Sequence, residues 1–308
     1  MNVGIFYNSI SNPAKFSNKV MLMDNFKQGV INSGDTVIEF RDNTLSTVDD
    51  QLTAGFVLGY TLEENFRRKI INNLRTHKVP QIFVDSNILH YSRKEHEWHR
   101  YSMNGVYPTD GIYFFDNLNL EKWNTYSTWH GAKLKPWRVG HDDQHILVLC
   151  QRSKGWNMFG NDQDAWLEKI FSKINKLQPN RPVRVRMHPG DGTRFKQIEK
   201  LQKRYGNSIQ ISTADNIRED LVNCWCSVGY NSTPNVVSAI EGVPVYLEDP
   251  QHSWARDIGF TDIAQIANPP LPDRSQWVHQ IANIHWSNDE VRSGQLWQSI
   301  RRYILSSR

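Results

Sequence analysis

One stretch, residues 224–247, limits the possible folds of this chain more than any other. Cys224-Trp-Cys-Ser-Val228 is apolar enough for a short buried strand, and Gly229-Tyr-Asn-Ser232 is a tight polar turn. Thr233 is a suitable N-cap, and Pro234 falls at the first helical position, where a missing N–H costs nothing. The helix is predicted to run to about Glu241, with Gly242 as its left-handed C-terminal cap and Pro244 preventing its continuation. Val243-Pro-Val-Tyr-Leu247 then reads as the next strand. A strand that delivers small polar residues and N–H groups to a helix N-terminus is the local geometry that binds phosphate.

The same alternation runs through the rest of the chain. Strands are predicted at 3–7, 36–41, 55–59, 81–85 and 111–115, with helices at 14–33 and 62–77. Residues 123–143 have weak periodicity together with Gly131, Pro136 and Gly140, and read as a linker. The pattern restarts with strands at 145–150, 181–187 and 208–212 and helices at 164–177, 193–205 and 217–223. Strands alternating with helices predict parallel sheets covered on both faces. The expected fold class is therefore α/β: two tandem Rossmann-like, doubly wound domains facing a central cleft, over residues 1–140 and 141–308. The 308 residues suffice for two such cores. A terminal helix, Gln295–Ser306, carries Leu296, Trp297, Ile300 and Ile304 at helical spacing and is expected to pack back on the body.

Composition narrows the function. The chain is 39% hydrophobic and 22% charged, as expected of a soluble globular protein. No apolar run approaches the roughly 18 residues of a membrane span. Met1-Asn-Val-Gly-Ile-Phe6 has no basic segment before its apolar residues and reads as a strand, not a signal peptide. The three cysteines, Cys150, Cys224 and Cys226, fall in or beside apolar strand segments, which points to reduced thiols and a cytoplasmic setting. A net charge of +4 permits a polyanionic partner without requiring one.

In open α/β sheets, ligands bind beyond the carboxyl ends of the strands. In the second half those ends carry Gln151, Arg152, Ser153 and Trp156, then Arg186 and His188, then Ser212, then Tyr230, Asn231, Ser232 and Thr233, with Glu241 closing the following helix. Cations and hydrogen-bonding groups at four successive strand ends point to a nucleotide-linked ligand. The Gly-x-Gly-x-x-Gly and Gly-Lys-Ser/Thr phosphate loops are both absent, which argues against a dehydrogenase or a P-loop NTPase.

In the first half, Asp85 ends a predicted strand and is the candidate general base. Asp110 and the loop beginning Asn8-Ser9 are further candidates. Residues 90–108 interleave cations with aromatics: His90, Arg93, Lys94 and Arg100 with Tyr91, Trp98, Tyr101 and Tyr107. Such a pattern grips flipped-out or single-stranded nucleotides, and the same pattern also fits a solvated insertion whose aromatics fold back on the domain. His96 and His99 lack a third ligand, so no metal centre is predicted.

The tandem architecture, the His188-Pro189 pair and the Ser-Val-Gly-Tyr-Asn-Ser-Thr…Glu-Gly-Val-Pro-Val run resemble the type B glycosyltransferase superfamily. The resemblance implies that Ser232 and Thr233 hold a donor diphosphate and that Glu241 binds the donor ribose or sugar. It also implies a nucleoside diphosphate sugar, here a UDP-sugar, as co-substrate, with no obligatory cofactor. Cys150-Gln-Arg-Ser-Lys-Gly-Trp-Asn-Met158, Arg186-Met-His-Pro-Gly-Asp191 and Arg100-Tyr-Ser-Met-Asn-Gly-Val-Tyr-Pro108 further resemble phage-encoded glycosyltransferases that modify hydroxymethylated pyrimidines. That resemblance implies glucosyl or arabinosyl transfer to 5-hydroxymethylcytosine in double-stranded DNA, in the host cytoplasm. Asn8, Ser9, His90, Arg93, Trp98, Arg100 and Tyr101 would then meet the acceptor. A capsule or glycan sugar transferase, a sugar-nucleotide 2-epimerase and a non-catalytic modified-DNA-binding protein are the alternatives.

Overall fold

The computed structural model describes residues 1–10, 17–42, 51–89, 97–138, 144–152, 155–189, 191, 195–206 and 209–307. The chain forms two compact units, Met1–Thr125 with His279–Arg308, and Tyr126–Val278. In chain order the first part holds β1 (Asn2–Phe6), α1 (Ser17–Asn32), β2 (Thr36–Phe40), β3 (Ala54–Val57), α2 (Phe66–Thr76), β4 (Gln81–Asp85), β5 (Trp98–Met103) and α3 (Lys122–Trp129). There follow β6 (His145–Leu149), α4 (Gln163–Leu177), β7 (Val183–Arg186), α5 (Phe195–Tyr205) and β8 (Ile209–Ile211). Next come α6 (Ile217–Asp220), β9 (Cys224–Gly229), α7 (Pro234–Ile240) and β10 (Val245–Leu247). The chain closes with α8 (Ser275–Asn283), β11 (His285–Ser287), α9 (Asn288–Ser293) and α10 (Gln295–Ser306).

In the first unit the sheet order is β2-β1-β3-β4-β5-β11. β1 to β4 are parallel, while β5 and β11 run antiparallel to their neighbours. α1 buries Leu22, Met23, Phe26 and Val30, and α2 buries Ile70, Ile71 and Leu74. Asn65 caps α2 by accepting a hydrogen bond from the Arg68 N–H at 3.1 Å.

Three expectations change here. The segment 98–103, read as part of an aromatic and basic acceptor surface, is a strand buried along its whole length. The segment 111–115, read as a strand, makes only an isolated bridge between Ile112 and Met103. The last thirty residues belong to the first unit, not to a C-terminal domain. The reason is packing. Leu296, Trp297, Ile300 and Ile304 of α10 and Val291 of α9 join the core formed by β1, β3 and α1. Gly29 lets the backbones of α1 and α9 touch, since a Cβ there would collide with the Val291 carbonyl. A Ser287–Glu290 capping box starts α9 at the right point.

The second unit has an all-parallel sheet in the order β8-β7-β6-β9-β10. That is the 3-2-1-4-5 order of a doubly wound sheet, with its reversal between β6 and β9. Its core unites Ile146, Val148, Ile170, Phe171, Val185, Cys226 and Val228. All three cysteines are buried free thiols, and burial pushes Cys224 up to about 12, so it is no nucleophile. Among the described residues no helix is long and apolar enough to cross a membrane.

Candidate functional site

Where the strand order reverses, the crossovers leave toward opposite faces and the chain ends of the two strands frame a crevice. In the second unit those ends are Gln151, after β6, and the turn 230–233, after β9. The structure brings these predicted residues together. The Gln151 amide donates to Asn231 Oδ1 and accepts from Asn157 Nδ2 at 2.7 Å. Asn231 Nδ2 in turn donates to the Asn157 carbonyl at 2.9 Å and to Asp249 Oδ2 at 3.1 Å. Asn161 donates to the Tyr230 hydroxyl at 2.8 Å, and Tyr230 stands edge-on to Trp166. Gln151 and Asn231 therefore position loops by binding each other.

The turn itself keeps its donors available. The N–H groups of Asn231, Ser232 and Thr233, and the hydroxyls of Ser232 and Thr233, make no hydrogen bond among the described residues. Thr233 does not cap α7 with its side chain as expected. Its backbone is already helical, and the Asn235 and Val236 N–H groups are taken by the Ser232 and Thr233 carbonyls at 3.0 and 2.9 Å. The anion-binding capacity thus lies in the turn before the helix, where successive N–H groups can form a nest. Asn235 adds a fully buried amide, pressed against Gly229, with no protein partner among the described residues. Such groups are rare in folded proteins and mark places where water or a ligand bonds.

Three predicted ligand residues are committed elsewhere. Arg186 donates to Asp220 at 2.6 Å and to the Ala214 and Asp215 carbonyls at 2.9 and 3.1 Å. Ser212 also donates to Asp220, at 2.7 Å. Glu241 sits at the far end of α7, almost fully buried, paired with Lys135 and with Arg218 at 2.9 Å. Each of the three thus has protein partners in this structure. Arg152 is exposed and Trp156 half-buried after β6, and His188 is half-buried after β7. Burial, then the charge of Arg152, push the His188 pKa below its usual value against the pull of Asp191, so the imidazole is neutral at pH 7. Ser153 lies outside the described residues.

The end of a fifth strand, β10, joins this network too. β10 ends in Glu248-Asp249-Pro-Gln-His252, and Asp249 accepts from Asn231 while contacting His252 Nδ1 at 2.8 Å. The His252 ring stacks on Phe159 at 3.9 Å. The signal, an acidic-Pro-His cluster after an apolar strand, was present.

In the first unit, Asp85 ends β4 with its carboxylate about two-fifths exposed. One oxygen accepts from the Ser86 N–H at 2.7 Å and the other from Arg100 Nη2 at 2.7 Å. Arg100, expected to meet a nucleic acid, is therefore a buried structural cation. Tyr101 is fully buried in the core, and Trp98 is nearly so. Neither can stack on a base. Ser9 accepts from the Leu58 N–H at 3.0 Å and helps join β1 to β3, while Asn8 reaches the Asp42 carbonyl at 2.8 Å. His90 and Arg93 lie outside the described residues. Among the described residues no cluster of three or more His, Cys, Asp or Glu could hold a metal.

Solved structures share this architecture. The Thermosulfurimonas dismutans KpsC β-Kdo 2,7 transferase aligns over 96% of this chain and 100% of its own, with 12% identity and a TM-score of 0.56. The Thermosulfurimonas dismutans KpsC β-Kdo 2,4 transferase aligns over 87% of this chain and 89% of its own, with 14% identity and a TM-score of 0.51. At such identities the likeness is one of fold, and the fold is GT-B. No family model and no curated protein sequence matches the chain.

Proposed function

We propose that this protein is a glycosyltransferase that moves a sugar from a nucleoside diphosphate sugar to a hydroxyl acceptor. The observation that carries this reading is the run of N–H donors at Asn231, Ser232 and Thr233 that make no hydrogen bond among the described residues, set at the β6–β9 reversal of a GT-B chain. In the reaction the acceptor oxygen attacks the anomeric carbon, and the bond from that carbon to the diphosphate oxygen breaks. The departing diphosphate takes the electron pair, and the acceptor proton passes to a base. Donors aimed at the developing negative charge lower that barrier most. The turn N–H groups, the Ser232 and Thr233 hydroxyls, Arg152 and His188 are the groups for this. Asp85, oriented by Ser86 and Arg100, is the candidate base.

Part of the support for a 5-hydroxymethylcytosine acceptor comes from residues 90–108. Trp98, Arg100 and Tyr101 are built into β5 and do not supply it, and a small or glycan hydroxyl is the better acceptor. The test is nucleoside diphosphate release from a panel of UDP-, GDP- and TDP-sugars, with glycan acceptors and with hydroxymethylcytosine DNA as separate arms. Glycan-dependent release is the expected result. DNA-dependent release would restore the DNA reading. A donor epimerised without acceptor would make the protein an epimerase, and no donor binding at all would refute the phosphate site.

The His188 shift gives a second check. A diphosphate beside a neutral imidazole raises its pKa in the complex, so binding takes up a proton. Nucleoside diphosphate affinity is therefore expected to rise as pH falls from about 8 to about 6, with a smaller slope in His188→Gln. Equal slopes in the two proteins would remove His188 from the donor site.

A further inference from the structure

β11 is an outer strand of the first unit's sheet, and a groove of about 280 Å³ opens beside it. Trp286 of β11, Glu290 of α9 and one face of α10 line it, together with residues of the segment 113–119. The α10 face is Gln295, Gln298, Ser299 and Arg302, spaced i, i+3, i+4 and i+7. It is the polar side of the helix whose apolar side enters the core. None of the lining residues belongs to the turn 230–233 or to the strand end at Asp85. The volume is at the small end for ligand sites and suits one sugar-sized group.

The groove is braced and its charges balance. Arg302 donates to Asp116 through two nitrogens, at 2.8 and 3.2 Å, which ties the segment to α10. Asn119 and Asn283 exchange two hydrogen bonds of 2.9 Å, which ties it to the end of α8. Walls held in this way need little ordering when a ligand arrives. Among the described residues the charged groups of the lining are Asp116, Glu290 and Arg302. Asp116 is matched by Arg302, and Glu290 by Lys122 at 3.3 Å, while the other Glu290 oxygen accepts from the Ser287 N–H at 2.7 Å. What the wall has left to offer is amides and a ring. The side chains of Asn117, Gln295 and Gln298 are exposed and make no hydrogen bond among the described residues. Each carboxamide both donates and accepts. Phe114 keeps 45% of its surface exposed. The Trp286 Nε1–H is buried with no partner among the described residues, and such groups mark places where water or a ligand bonds.

A saccharide presents the complement of such a wall: hydroxyls that donate and accept, around a face of C–H groups that can cover an aromatic ring. An ion would find no excess counter-charge here, and a purely apolar ligand would bury the amides unpaired. We propose that this groove binds one unit of a neutral saccharide, through the amides of Asn117, Gln295 and Gln298 and the ring of Phe114. The site goes beyond the transferase reading, because none of its residues serves the donor or the base. Where that reading also holds, the groove would keep a glycan acceptor at high local concentration.

The experiment is saturation-transfer NMR and calorimetric titration of the full chain with glucose, galactose, N-acetylglucosamine and maltotriose. Glucuronic acid is the charged control, and uridine diphosphate is titrated into the same preparations. At least one neutral sugar is expected to bind with a Kd of about 1 mM or tighter, more tightly than glucuronic acid, and to stay bound when uridine diphosphate is in excess. Phe114→Ala and Gln298→Ala are each expected to weaken that binding about fivefold, the loss of one ring contact or one hydrogen bond, and to leave uridine diphosphate binding intact. Both side chains are exposed, so both variants are expected to keep the wild-type urea midpoint. No binding of any neutral sugar, tighter binding of glucuronic acid, displacement by uridine diphosphate, or sugar binding unchanged in both variants would each overturn the proposal. A protein that binds the sugar but no nucleotide loses the transferase reading and keeps this groove. One that binds uridine diphosphate and none of the sugars does the reverse.

Discussion

Replacing Trp297 with alanine is expected to destabilise the first unit by about 3–5 kcal/mol, the cost of emptying a buried aromatic site. Trp297 is 1% exposed, stands edge-on to Phe26 with centroids 6.1 Å apart, and lies in the core with Phe56 and Tyr101. Its Nε1–H donates to Asp35 Oδ2 at 2.8 Å. Asp35 also receives the N-terminal ammonium and Arg301, at 3.0 Å, so one carboxylate ties both chain ends to the sheet. Burial pushes the Asp35 carboxyl up, but the ammonium and Trp297 outweigh that and hold it below the usual range. Its contribution is therefore present at neutral pH and is lost as acid protonates it. The check is hydrogen exchange read by peptide in Trp297→Ala. Peptides of β1, β3 and β4 are expected to lose protection while those of β6 and β9 keep theirs. The opposite pattern would return residues 279–308 to the second unit.

That assignment was beyond local sequence reading. The periodicity of Leu296, Trp297, Ile300 and Ile304 shows that α10 has an apolar face, and the helix forms over the predicted residues. Periodicity does not say which body the face covers. The partner surface depends on Gly29 and Phe26, some 270 residues earlier in the chain. β5 was hidden for a related reason. Arg100 and His99 in a strand argue for exposure unless a counter-charge is known, and the pairing of Arg100 with Asp85 is set by the antiparallel register of β4 and β5. By contrast β4 and β6 are continuous apolar runs with clear ends, and both form where their composition predicts.

The site was legible in position and less so in role. Counting strand ends located Gln151 and the turn 230–233 at the β6–β9 reversal, because topology alone sets where ligands approach a parallel sheet. Polarity at a strand end does not reveal which way a side chain is used. Glu241 matched the resemblance in sequence, yet α7 carries it about eight residues, roughly 12 Å, from Thr233 at the end of the turn. There Lys135 and Arg218 already neutralise it.

The sharpest test of that distinction is Asp220, which no motif singled out. Its side chain is 1% exposed, and it accepts from Arg186 at 2.6 Å and Ser212 at 2.7 Å, with Arg184 at 3.6 Å. Asp220→Ala is expected to cost about 3 kcal/mol, toward the lower end for a broken buried pair because the Arg186 side chain keeps some solvent contact. Arg186→Met is expected to cost a similar amount, since it leaves the buried Asp220 carboxylate with Ser212 and Arg184 beside it in place of a close guanidinium partner. The double variant Asp220→Ala with Arg186→Met is expected to lose at least about 1 kcal/mol less than the sum of the singles, because once one partner is gone the other is a liability. Urea unfolding of the four proteins measures this coupling, and calorimetry with uridine diphosphate on the same four reads the alternative. If Arg186 were a phosphate ligand, Arg186→Met would weaken nucleotide binding at nearly unchanged stability, and the cycle would be additive. Strong coupling with intact nucleotide affinity would fix the Arg186–Asp220 pair as the brace beneath the donor loops, and would leave the anion to the turn at Asn231–Thr233 and to Arg152 and His188.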